Sequence, residues 1–218
     1  MKPPRTPRAS RSGAPSAAVS GHVRIIGGRW RGSKLPVTDL AGLRPSADRV
    51  RETLFNWLMP HLPGAVVLDA FAGSGALGLE AVSRGAARAV LVERDPQAVR
   101  ALQASAARLD ADGQVRVIAD DVLRWLATAH AESFDLVFLD PPFAASAWDQ
   151  ALAALAPRLA PGAWVYLESP VTLEPAVPQG WVLHREGRTR DVRYALYRAS
   201  AGQGADTLRD DSNEPASA

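Results

Sequence analysis

Cysteine is absent from the chain, and lysine is nearly so, with two against 23 arginines. The first absence excludes a disulfide scaffold, a cysteine nucleophile and a thiolate metal site. The four histidines, His22, His61, His130 and His184, are scattered and show no HxxxH or HExxH spacing. No metal centre is therefore expected. No apolar run approaches the ~18 residues of a membrane span. The N-terminus is basic but lacks the apolar stretch of a secretory signal. Organellar transit peptides share its Arg, Ser and Ala bias, as do disordered basic tails. The expected compartment is the cytoplasm, with no membrane partner.

The chain has 218 residues, 47% hydrophobic and 22% charged, which suits one globular domain with a full core. Its net charge of +2 hides an asymmetry. Residues 1–60 hold 11 Lys+Arg against 3 Asp+Glu, and residues 61–218 hold 14 against 20. A basic front on an acidic body suggests a polyanion engaged at one end. Arginine forks onto phosphates and stacks on bases, which suits RNA. A GC-rich coding bias would also explain the Arg excess, though not its N-terminal clustering. A monomer is expected.

Residues 1–21 are rich in Pro, Ser, Ala and Arg without periodicity and read as a disordered basic tail; residues 201–218 read as a disordered acidic one. Residues 22–200 read as a single domain, with 22–44 forming a hairpin and loop. Val23–Ile26 and Ser33–Val37 are the hairpin strands, joined by a basic, aromatic tip, Gly27 to Gly32. Pro45 and a capping Ser46 open a helix with Val50, Leu54, Trp57 and Leu58 on one face, and Pro60 and Pro63-Gly64 stop it. Strands are then predicted at Val66–Ala70, Ala89–Glu93, Val115–Ala119, Leu136–Leu139 and Ala163–Glu168. Helices between them are predicted at Ala76–Arg84, Pro96–Leu109, Asp121–Ala129 and Ala147–Leu159. This βα rhythm predicts an α/β fold with a mostly parallel sheet covered on both faces. Trp181–Glu186 and Val192–Arg198 lie too close for a helical crossover and read as an antiparallel pair at one edge.

Four strand ends carry chemistry. Val67-Leu68-Asp69 runs into a turn, Ala70-Phe71-Ala72-Gly73-Ser74-Gly75, that opens a helix. In open α/β sheets ligands sit at the carboxyl ends of strands, and Gly73 and Gly75 let the backbone approach one closely. The turn is not GxGxxG, and a carboxylate before it would repel a pyrophosphate. Asp69 suits an amine-bearing ligand, which favours S-adenosylmethionine over a dinucleotide. The alternative is a tight turn without a ligand. Glu93 ends the next strand, 18 residues past Gly75, where an acid accepts both ribose hydroxyls. Asp120-Asp121 ends the third: one carboxylate for the adenine amino group, one for a helix N-cap, in an order the residues leave open.

The fourth is Phe138-Leu139-Asp140-Pro141-Pro142-Phe143. Two prolines forbid strand continuation and stiffen the loop. Asp140 is thereby held at the strand end, accepting only when ionised. It suits the hydrogens of an exocyclic amino group while Phe143 stacks on the ring, as for a base taken out of its stack. The alternative is a rigid turn with a buried Phe. Together the four ends point to methyl transfer to an amino nitrogen of a planar group, through positioning and electrostatics.

Arg24-Ile25-Ile26-Gly27-Gly28-Arg29-Trp30-Arg31-Gly32, Leu43-Arg44-Pro45 and Asp48 to Leu58, with Asp69 to Ala81 and Asp140–Phe143, closely resemble the bacterial RsmD family. The likeness covers about residues 23–198. It implies a class I, Rossmann-like S-adenosylmethionine-dependent methyltransferase, with seven strands, an antiparallel edge and an N-terminal β-hairpin. It implies a substrate, guanine N2 of 16S ribosomal RNA, met in an assembling small ribosomal subunit. It places catalysis on Asp140, Pro141, Pro142 and Phe143. It places cofactor positions on Asp69, Phe71, Gly73, Gly75, Glu93 and Asp121; Ser74, within the turn, and Asp120, beside Asp121, join the expected cofactor set. It also implies that the basic hairpin and the Arg44–Arg51 segment meet RNA or close over the cofactor.

Arg24, Arg29, Trp30, Arg31 and Lys34 form a cation–aromatic set suited to RNA; the alternative is a solvated face with Trp30 as a packing anchor. Arg44, Arg49 and Arg51 join the expected RNA set. Arg49 and Arg51 sit early in a helix, where cations are unfavourable, unless Asp48 or Glu52 pairs with them. Leu54 and Trp57 read as core. Arg185, Arg188, Arg190 and Arg193 read as a solvated turn. Rival readings are a DNA adenine-N6 or protein amide methyltransferase, and an RNA-binding assembly factor with a silent site.

Overall fold

A computed structural model describes residues 21–37, 45–128, 132–141 and 148–199. The expected tails, apart from Gly21, lie outside these residues, as do Arg44, Pro142 and Phe143.

Strands β1 (Gly21–Arg24) and β2 (Lys34–Val37) pair antiparallel in a small separate sheet. Helix α1 (Pro45–Leu58) follows. The βα rhythm then appears as predicted, with shifted ends: β3 (Val66–Asp69), α2 (Ala76–Ser83), β4 (Arg88–Glu93), α3 (Pro96–Arg108), β5 (Val115–Ala119), α4 (Val122–Ala127), β6 (Phe134–Leu139), α5 (Trp148–Leu155) and β7 (Leu159–Pro170). Strands β8 (Val182–Arg188) and β9 (Val192–Arg198) close the domain. Leu159, expected at a helix end, belongs to β7, because a 3-10 turn containing Pro157 (Ala156–Arg158) ends the helical run first.

The main sheet has seven strands in the order β5-β4-β3-β6-β7-β9-β8. The first five are parallel, and β9 runs antiparallel between β7 and β8. The last strand in sequence is thus not the edge. Its Ala195, Leu196 and Tyr197 are buried, whereas β8 is largely exposed. Burial decides which of the pair is covered on both sides.

Two cores flank the sheet. One packs Leu54, Phe55 and Leu58 of α1, Leu79 and Val82 of α2 and Leu102 of α3 against Val67, Leu91, Phe138 and Tyr166. The other packs Trp125 and Leu126 of α4 and Trp148, Leu152 and Leu155 of α5 against Leu68, Val90, Val137 and Val165. Trp57 is half-buried and stacks on Tyr194 at 5.6 Å. Leu54 and Trp57 are therefore packing residues, as expected.

The strand order reverses between β3 and β6. Chain direction leaves the sheet to one side at Asp69 and to the other at Asp140. Ligands in open α/β sheets bind in the crevice at that reversal, beyond the carboxyl ends of the strands.

Candidate active site

Asp69 ends β3 almost fully covered, and its Oδ2 accepts from the Gly78 N–H at 2.9 Å. That N–H lies in the first turn of α2, whose N-cap residue Gly75 has no side chain to offer. The strand-end carboxylate thus ties β3 to the helix. Burial pushes the Asp69 carboxyl up to about 7; the Glu93 charge adds to this and the Gly78 N–H offsets part of it.

The turn between them needs its glycines. Gly73 and Gly75 have φ of +52° and +76°, a region L side chains rarely adopt. A Cβ at Gly75 would strike Leu102 at 2.5 Å, so this glycine seats the turn on α3. A Cβ at Gly73 would meet nothing within 4 Å, so this glycine leaves bare backbone facing open space. Ser74 and Phe71 are half-buried beside it, Phe71 against the second core.

Glu93 ends β4. Its Oε2 accepts from the Gly73 N–H at 2.8 Å and its Oε1 from the Asp95 N–H at 2.7 Å. At the end of β5 the two aspartates divide their work. Asp121 Oδ1 accepts from Leu123 and Arg124 N–H and caps α4. Asp120 accepts from the Asp121 N–H at 2.7 Å and pairs with Arg124. The Arg124 hydrogen bond holds the Asp120 carboxyl below the usual range.

Asp140 follows β6, half-buried, with Pro141 buried behind it. Burial, then the Glu168 and Asp69 charges, hold its carboxyl well above the usual carboxylate range. Glu168 lies on the neighbouring strand. Leu139 is in register with Leu167, so Asp140, just past the end of β6, and Glu168, still within β7, come next on the two strands. Tyr166, fully buried, donates its hydroxyl to Glu168 Oε1 at 2.5 Å. Burial raises the Glu168 carboxyl as well, the Tyr166 hydroxyl offsetting part. Glu168 and Tyr166 are absent from the residues expected from sequence. The available signal was positional: Glu168 is a further acid at the carboxyl end of a predicted strand, Ala163–Glu168, as Asp69 and Glu93 are of theirs; in the structure β7 runs two residues further, to Pro170.

The structure divides the expected RNA set. The hairpin tip packs on the far end of α2: Ser83 Oγ accepts from the Trp30 N–H at 2.9 Å and donates to the Gly27 carbonyl at 2.7 Å. The Arg29 side chain reaches Gln114, just before β5, and lies 4.2 Å over the Trp30 ring. Ser83 ends α2 and Gln114 precedes β5, so the tip sits at the amino ends of the strands, opposite the glycine turn. It does not close over that turn. Trp30 is half-buried against the core and serves as a packing anchor.

Arg24, Arg29, Arg31, Lys34 and Arg49 are exposed. Arg51 is buried instead. It donates to Asp48 at 2.8 Å and to the Arg24 carbonyl at 2.9 Å, and lies 3.7 Å from Glu80. The ion-pair alternative therefore holds for Arg51, which locks the hairpin to α1 and α2. Arg193 is likewise no solvated residue: it is buried and donates to Glu186 at 2.9 Å and to the Tyr197 hydroxyl at 3.1 Å. Among the described residues no acid or histidine cluster is built for a metal ion, and no helix is long and apolar enough to cross a membrane.

Known proteins place this arrangement. The family described as conserved hypothetical protein 95 matches residues 23–198. The chain is 48% identical over 193 residues to ribosomal RNA small subunit methyltransferase D of Escherichia coli strain K12, covering 86% of this chain and 95% of that protein. It is 42% identical over 184 residues to the Haemophilus influenzae protein of the same name, covering 83% and 95%. A solved structure titled as the putative methyltransferase yhhF from Escherichia coli superposes with a TM-score of 0.77 at 48% identity, covering 84% of this chain and all of that one. The signature read from residues 24–58, the glycine turn and the Asp140 loop therefore has its family: the chain belongs to the conserved hypothetical protein 95 family, which is the RsmD family.

Proposed function

We propose that the protein transfers a methyl group from S-adenosylmethionine to the exocyclic N2 of a guanine in 16S ribosomal RNA. The observation that carries this reading is Asp140, a half-buried carboxylate set by Pro141 at the point where the strand order reverses, one strand from the glycine turn. The names of the relatives support the substrate class. An assembling small subunit as its physical context, a monomeric enzyme and a cytoplasmic location belong to the same reading.

The residues fit the cofactor. Bare backbone at Gly73 accepts a close ligand, and Glu93 lies against it to receive ribose hydroxyls. Asp69, with one oxygen on Gly78, offers the other to an amine. Asp121 uses only Oδ1 for its cap, which leaves Oδ2 for the adenine amino group, with Asp120 bracing the turn. Ser74 and Phe71 complete the lining. When bound, S-adenosylmethionine supplies a methyl carbon on a sulfonium that leaves as a neutral thioether.

The guanine amino nitrogen is a poor nucleophile because its lone pair is delocalised into the ring. Asp140 accepts one N2–H and so turns the lone pair toward the methyl carbon. With S-adenosylmethionine bound, methylation of N2 would require that nitrogen to give up a proton. Asp140 receives it, and its raised affinity for protons matches that task. Pro142 and Phe143 complete this loop in the proposal, Phe143 as the stacking ring. Exposed Arg24, Arg29, Arg31, Lys34 and Arg49, with Arg44, serve as phosphate contacts. The hairpin tip sits at the amino ends of the strands, and a six-residue strand such as β4 separates the two ends of the sheet by roughly 20 Å. Folded RNA is large enough to touch both ends.

Labelled S-adenosylmethionine with small-subunit RNA or particles from cells lacking this gene tests the reading. Mass identification of N2-methylguanosine at one position is the expected result. Methyladenosine would move the target, and label on protein alone would overturn the RNA assignment.

A further inference from the structure

We infer that Glu168 reads the Watson–Crick edge of the target guanine, accepting its N1–H beside the amino group that Asp140 accepts, and so selects guanine over adenine. This rests on the guanine-N2 reading of the same site.

β6 and β7 pair in parallel. Their last registered pair is Leu139 and Leu167, so Asp140 and Glu168 are the next residues on the two neighbouring strands, close enough for the Glu168 charge to act on Asp140. Both are half-buried. Among the described residues neither forms an ion pair with a cation. Two adjacent, partly desolvated carboxylates without a counter-charge are unfavourable in the free protein. A ligand presenting neighbouring hydrogen-bond donors relieves that cost.

Glu168 is also held in place. Tyr166 donates to its Oε1 from beneath at 2.5 Å, and Trp148 donates Nε1–H to its backbone carbonyl at 2.9 Å. No other donor among the described residues bonds to the carboxylate. Oε1 is therefore committed, and Oε2 is the oxygen left for a base. Guanine shows N1–H and N2–H as adjacent donors, matching the two acids. Adenine carries an acceptor at N1, and its lone pair would face the Glu168 carboxylate.

Glu168→Gln tests this, because Tyr166 keeps the amide carbonyl at the Oε1 position and turns the NH2 toward the base. The paired substrate is RNA whose target guanosine is replaced by 2-aminopurine riboside. That base keeps the 2-amino group but has an acceptor at N1. Wild-type enzyme should prefer guanine by about 10- to 100-fold in kcat/KM. Glu168→Gln should bring the ratio to about one or invert it, with S-adenosylmethionine affinity by calorimetry unchanged. A ratio within about threefold of wild type would overturn the inference. So would equal losses on both RNAs, since a merely structural role predicts them. Should the Gln variant not fold, Tyr166→Phe, which frees the carboxylate, should lower the same ratio, and an unchanged ratio would overturn the inference. Wild-type enzyme that makes no N2-methylguanosine would instead overturn the guanine reading, and the inference with it.

Discussion

The backbone N–H of Gly73 donates to Glu93 Oε2 at 2.8 Å. One bond thus joins the open floor of the glycine turn to the acid expected to hold a ribose. The other Glu93 oxygen accepts from Asp95 N–H, and Asp95 caps α3. Three elements around this crevice are aligned by a single carboxylate.

Glu93→Ala should therefore act twice. It removes the acceptor of two backbone donors that water can reach, which should lower stability by about 1 kcal/mol in urea unfolding. It should also weaken S-adenosylmethionine binding by about tenfold or more in calorimetry. Binding left at the wild-type level would exclude Glu93 from the cofactor site.

Asp69 should make the ligand-free protein less stable as pH rises. Its folded carboxyl is raised from the model-peptide value of 3.8 to about 7. The neutral form is the one the fold prefers, so its contribution is complete below about pH 4 and is lost as pH rises through about 7. The full loss is about 4 kcal/mol at most. Asn at this position can still accept from Gly78, so Asp69→Asn should match wild type near pH 4 and exceed it at pH 8. Parallel urea midpoints at the two pH values would contradict this. The same variant should bind S-adenosylmethionine more weakly, having lost the charge that meets its amine.

Catalysis should show an acid limb displaced upward. Asp140 must be ionised to accept from N2–H, and burial with the Glu168 and Asp69 charges raises its carboxyl. The limb in kcat/KM, which reports the free enzyme, should lie above the ordinary aspartate value of about 4. Removing the Glu168 charge with Gln should shift the limb to lower pH. Asp140→Asn should lower kcat by about 100-fold or more while cofactor affinity holds. A limb that ignores Glu168→Gln would detach Asp140 from the observed titration.

The hairpin separates RNA affinity from chemistry. Arg29→Ala and Arg31→Ala should weaken RNA binding and each reduce its salt slope by about one. Affinity for S-adenosylmethionine should not change, since the tip lies at the opposite end of the sheet. Gly28→Ala tests the anchoring itself. Its φ is +77°, and a Cβ there would run into the Ser83 carbonyl and Oγ. A stability loss above about 1 kcal/mol is expected, read as a lower melting temperature.

Local order was legible because its causes are local. Asp95-Pro96 announces the start of α3, and the side chain of Asp95 caps it. Paired glycines mark the turn after β3, and Pro141 marks the end of β6. Glu168 escaped notice because an acid at a strand end says nothing by itself; its meaning comes from standing beside Asp140. Arg51 misled because its charge pattern resembles that of Arg49, and only packing buries one and exposes the other.

The sequence by itself determined the βα rhythm, the antiparallel closing pair, the family signature and most of the strand-end acids. Each depends on periodicity, turn chemistry or spacing among near neighbours. The tertiary structure alone decided that β9 lies inside β8, that the hairpin tip docks away from the glycine turn, and that Glu168 joins Asp140. Those outcomes depend on which distant surfaces bury each other. Apolar burial has no direction along the chain, so only the assembled sheet determines which residues meet.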